Sequence, residues 1–80
     1  MMTITVHYFA MLRDATRHDR ETRTTTAATP GDLYAELAQR YGFTLPVGIL
    51  RVAVNNAFTS MDTRLREGDE VTFIPPVAGG

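Results

Sequence analysis

The chain has 80 residues, 44% of them apolar and 21% charged, with a formal net charge of −1 and no cysteine. That length holds one small core, and the composition is that of a globular domain rather than a disordered one. The near-neutral balance leaves no basic footprint for nucleic acid, and without cysteine there are no disulfides, zinc–thiolate sites or iron–sulfur clusters.

A chain without disulfides fits a reducing compartment, and a cytoplasmic location is expected. No stretch approaches the roughly 20 apolar residues that span a bilayer, so no membrane partner is expected. The opening "MMTITVHYFAML" alternates, where a signal peptide would be continuously apolar. All eight cations are arginine, which removes any Schiff-base lysine.

In "TITVHYF", residues 3–9, Ile4, Val6 and Tyr8 point one way and Thr5, His7 and Phe9 the other, the period of a half-buried strand. "AMLRDATRHD" reads as a short helix or turn, and the threonine-rich "RETRTTTA" as a second strand paired with the first. The strongest helix signal follows. Thr29 suits the N-cap, Pro30 the first turn, and Asp32 the capping-box position; Leu33, Tyr34, Leu37, Ala38 and Tyr41 form one apolar stripe. A helix is predicted over about 31–41, with Glu36 and Arg40 paired on its outer face and Gly42 closing it.

"FTLPVGI" reads as a connecting loop. "LRVAVN" is a third strand, with Leu50, Val52 and Val54 on one face; Asn55-Asn56 is a tight turn into the short strand "AFTS". Gly68 in "REGDE" turns the chain into a last strand, "EVTFIP". One helix covers one face of a mixed sheet, so the fold class is α+β in two layers. By alternation, Phe9 and Ile74 point away from the helix, and Phe58 is placed with them. Three apolar residues together on an open sheet face would mark a partner surface.

The chain closes on "PPVAGG". Pro75 and Pro76 end the sheet and stiffen the exit. Val77 and Ala78 then lead to Gly79 and Gly80. Taken alone this is either a frayed end or a thread shaped for a narrow channel, since glycine lets a partner backbone approach closely. In the second case the α-carboxylate of Gly80 is the reactive group. It needs activation by ATP before a sulfur nucleophile can attack it. This sequence offers no phosphate-binding glycine loop for that step.

"VNN" at 54–56, "GDEVTF" at 68–73 and "PPVAGG" at 75–80, together with "YFAMLRD" near the amino end, resemble the ubiquitin-like β-grasp sulfur carriers, and among them the small subunits of molybdopterin synthase. The resemblance runs over essentially the whole chain. It implies a mixed sheet of about five strands with one main helix on one face, a β-grasp domain over residues 1–76, and a flexible tail over 77–80. It implies that the chain is no catalyst by itself. Gly80 would be adenylated by a partner related to ubiquitin-activating enzymes, which spends the ATP, and a sulfur donor would convert it to 1-thioglycine, the thiocarboxylate. Gly79, Val77, Pro76 and Pro75 would position the tail, and Phe9, Phe58 and Ile74 would dock on the large subunit in a heterotetramer of two small and two large chains. The sulfur would pass to cyclic pyranopterin monophosphate, building the molybdopterin dithiolene of the molybdenum cofactor. No bound cofactor and no metal are implied.

Arg13-Asp14 stands where family members often have Arg-Glu, and "ATRHDRE" lacks a glycine often found there. Other readings are a sulfur carrier for thiamine thiazole or another thiolation pathway, a ubiquitin-like protein modifier, and a β-grasp binding module.

Overall fold

A computed structural model describes residues 1–76. The elements run β1 (Met2–Tyr8), α1 (Ala10–Thr16), β2 (Arg20–Thr25), α2 (Pro30–Tyr41), a 3-10 turn (Val47–Ile49), β3 (Arg51–Val54), β4 (Ala57–Thr59) and β5 (Glu70–Ile74). The five strands form one mixed sheet in the order β2-β1-β5-β3-β4. The β1–β2, β3–β4 and β3–β5 pairs are antiparallel, and β1–β5 is parallel. This is the β-grasp arrangement, with α2 on one face of the sheet.

Alternation assigns the two faces. Ile4, Val6 and Tyr8 of β1 and Val71 and Phe73 of β5 are buried, as are Leu50 and Val52 beside them. They meet Leu33, Tyr34 and Leu37 of α2 in one core. Thr29 caps α2: its Oγ1 accepts from the Asp32 N–H at 3.1 Å, and Gly42 ends the helix at φ 76°. Asn55 and Asn56 both take positive φ, 52° and 69°, the turn that two short antiparallel strands need.

"AMLRDAT" resolves as a helix that adds Leu12 and Thr16 to the buried set. Its exit has no glycine, and Arg17 takes the left-handed conformation at φ 63° in its place. The sequence also hides Phe43. It sits in the loop after α2, stacked on Tyr34 at 5.6 Å and Tyr41 at 5.8 Å, and edge-on to Tyr8 at 6.3 Å.

The Glu36–Arg40 pair does not form. Glu36 instead accepts from Arg23 Nε of β2 at 2.6 Å and from Thr25 Oγ1 at 2.7 Å, tying helix to sheet. Arg40 lies over the Tyr41 ring, 5.8 Å from its centre. Between one same-helix neighbour, Arg40, and a half-buried arginine on β2, the charge-assisted bond in the drier site wins.

Burial pushes the Glu36 carboxyl up, but the hydrogen bonds from Arg23 and Thr25 and the Arg23 charge outweigh it and leave its pKa lowered. A lowered acid stabilises the fold above its unfolded pKa, about 4.3, and that contribution is lost as pH falls through the folded value. Glu36→Gln should therefore cost about 1–2 kcal/mol at pH 7. The gap between variant and parent should narrow below pH 4, as urea titrations at pH 7, 5 and 3.5 would show. A gap that stays constant with pH would refute the ionic contribution.

Candidate functional site: the sheet face at the tail exit

β5 is the middle strand, bonded to β1 on one side and β3 on the other, and it delivers the chain to Pro75 and Pro76. Pro75 is buried and Pro76 exposed. Neither proline carries an N–H, so the ladder stops where the tail begins. Val77, Gly79 and Gly80 lie outside the described residues, as does Ala78.

The face of the sheet away from α2 divides into two halves. Toward β2 it is polar: Thr5 pairs with Thr22, and His7 with Arg20. His7 Nε2 and Glu70 Oε1 stand 2.8 Å apart, which accounts for both groups locally. Asp69 is engaged as well, accepting from the Arg66 N–H at 2.8 Å and from Asn55 Nδ2 at 3.0 Å, so the acids of "GDE" brace the turn before β5.

Toward β4 the same face is apolar. Pairing of Ala53 with Phe58 and of Ala53 with Thr72 puts Phe58 on it, and Phe58 is 71% exposed. Pairing of Tyr8 with Phe73 sets Phe9 beside Ile74. Phe9 is not the end of a strand, as the alternation suggested. It is the N-cap of α1, still extended at φ −123° and ψ 151°, which keeps its parity, and it is 51% exposed. Phe9 and Ile74 are therefore neighbours, while Phe58 lies two strands from Ile74, about 10 Å across the sheet, and three from Phe9.

Two members of this surface were missed by the sequence reading. Ile49, 48% exposed on the 3-10 turn, and Arg51, opposite Ile74, join Ile74, Pro75 and Pro76 around an open depression of about 320 Å³ at the tail exit. The signal for Arg51 was present: in "LRVAVN" it alternates against Leu50, Val52 and Val54. Ile49 lay in a stretch read only as a loop.

The described residues bring exposed apolar side chains and the Pro75-Pro76 step together at the end of β5. Among the described residues, no three acids or histidines gather where they could hold a metal ion. Residues 6–80 match the sequence profile of the ThiS family. The chain belongs to the ThiS family. Within that family it is 36% identical to the molybdopterin synthase sulfur carrier subunit of Escherichia coli, over 96% of this chain and 99% of the other. A putative molybdopterin converting factor subunit 1 from Pyrococcus furiosus superposes with a TM-score of 0.77 at 29% identity, covering 96% of this chain and 100% of that one. The structure of a complex of subunits 1 and 2 of the molybdopterin-converting factor from Helicobacter pylori matches at a TM-score of 0.66 and 25% identity, covering 99% of this chain and 100% of the matched chain. This ThiS-family chain is thus similar along its whole length to molybdopterin synthase sulfur carrier subunits. No helix among the described residues is long and apolar enough to cross a membrane.

Proposed function

We propose that this chain carries sulfur as a thiocarboxylate on Gly80 and delivers it to cyclic pyranopterin monophosphate within a molybdopterin synthase. The observation that carries the reading is the end-to-end match to a curated sulfur carrier subunit, in a chain whose middle strand leads directly into "PPVAGG". Residues 1–76 serve as the folded body and residues 77–80 as the reactive arm. Four residues reach at most about 14 Å, enough to put a carboxyl group inside a partner while the body stays outside.

The chemistry divides between proteins. A Gly80 carboxylate oxygen attacks the α-phosphate of ATP on an activating enzyme related to those of ubiquitin, and pyrophosphate leaves. A sulfur donor then displaces AMP from the acyl carbon, giving 1-thioglycine. On the large subunit, the thiocarboxylate sulfur bonds to a substrate carbon as a C–O bond at that carbon breaks, its oxygen leaving on phosphate or as water; water then hydrolyses the resulting thioester, which leaves the sulfur on the substrate and restores the Gly80 carboxylate. Two such transfers make the dithiolene.

Gly79 and Gly80 pass where any Cβ would collide. Pro75, Pro76 and Val77 set the direction of the arm, and Phe9, Phe58 and Ile74 seat the body on the large subunit. The complex of subunits 1 and 2 from Helicobacter pylori supports a large-subunit partner, taken here as two small and two large chains in the cytoplasm. No nucleic acid, membrane or bound cofactor enters the cycle.

The test mixes the thiocarboxylated chain, verified by intact mass, with a large subunit and cyclic pyranopterin monophosphate. Molybdopterin is the expected product. No product, from an intact thiocarboxylate and a large subunit active with its own carrier, would move the sulfur to another acceptor, thiamine synthesis first.

A further inference from the structure

We infer that Arg51 is a specificity contact of the docking face, and that the large subunit seated there presents a carboxylate to it. The inference rests on the docking role proposed above. Arg51 pairs with Ile74 across β3 and β5, so it occupies the apolar half of the open face. It is exposed, and among the described residues the depression it lines is otherwise made of Ile49, Ile74, Pro75 and Pro76, none of them acidic. The ion pairs among the described residues are His7–Glu70, Arg13–Asp19 and Arg23–Glu36, none of which involves Arg51.

A partner that covers this depression takes the guanidinium out of water. An unpaired buried charge is expensive, so a surface that fits must return the lost hydrogen bonds. The planar fork of arginine is best answered by a carboxylate, bonded through two parallel N–H groups. The fitting partner therefore carries an apolar side chain for Ile49 and Ile74 and an Asp or Glu a few ångströms away. A partner with a neutral or basic residue at that point is rejected by the same desolvation. Because Arg51 stands at the root of the tail, the pair would also set the angle at which the arm enters.

The test measures the Kd of the full chain for the large subunit of its own organism, by calorimetry at low and high salt, with a thermal melt for every variant. Arg51→Glu should weaken binding by at least about 30-fold, and Arg51→Met by about tenfold, because the partner's carboxylate is left unpaired. The parent's affinity should fall with salt and that of Arg51→Met should not. Phe58→Ala reads the docking face independently. If Phe58→Ala weakens binding while both Arg51 variants bind like the parent, the Arg51 contact is refuted and the docking face stands. If all three bind like the parent, the docking face falls with it. Failure of the parent itself to bind would instead refute the synthase reading. Should Arg51→Glu fail to fold, Arg51→Met decides alone.

Discussion

A chain lacking Gly80 is expected to melt with the full-length protein and to give no molybdopterin. Among the described residues, β5 ends at Ile74 and Pro75 is the last that is buried. Changes outside such a body shift stability by no more than about 0.5 kcal/mol. In the proposed role, however, the arm works by position. Removing one residue draws the terminal carboxyl back by about 3.5 Å. A misplacement of only about 1 Å can cost a hundredfold when reacting atoms must meet at near-contact distance. The shortened chain should therefore lose adenylation, sulfur transfer or both, read as thiocarboxylate yield by intact mass and as molybdopterin formed. Near-normal product from the shortened chain would rule out the Gly80 carboxyl as the sulfur carrier.

Phe73→Ala should do the reverse and dissolve the body. Phe73 is fully buried in the middle strand, opposite Tyr8 on one side and Val52 on the other, and it meets the Tyr34 ring edge-on at 5.4 Å. Emptying such a site costs about 3–5 kcal/mol. Domains of this length hold roughly 4–12 kcal/mol in all. The melting temperature should drop by roughly 15–30 °C, and a parent near the lower end of that range would be largely unfolded at 37 °C. A melt within a few degrees of the parent would mean that the core closes over the gap, with Tyr34 and Phe43 shifting into it.

The two variants separate what the sequence made legible from what it did not. Local rules reached every strand: β1, β3 and β5 by a period of two, β2 by its threonines, and β4 by the Asn55-Asn56 turn before it. The cap at Thr29 was equally plain, since Ncap, N1 and N3 chemistry coincide there. Contacts between elements were harder to see. Nothing local makes Glu36 prefer Arg23 to Arg40; the choice depends on β2 lying beside α2. The same holds for Glu21, whose carboxylate accepts from the hydroxyls of both Tyr8 and Tyr41. Short α1 was ambiguous because its entry at Phe9 lacks a side-chain cap and its exit uses an arginine in place of glycine. On the open face, parity along single strands placed Phe9 and Ile74, and the pairing of Ala53 with Phe58 and Thr72 puts Phe58 on the same face. Only the order of strands could bring Arg51 and Ile49 to the foot of the tail.

That strand order also decides how the molecule answers a pull. A partner gripping the arm applies its force to β5, which is flanked on both sides. Because β1 and β5 run parallel, tension between the amino end and the arm loads their cross-strand bonds together in shear, while the β3 ladder resists on the other side. An edge strand under the same load could unzip one bond at a time. A pull on the chain beyond Pro76 would thus be met by two strand pairs at once.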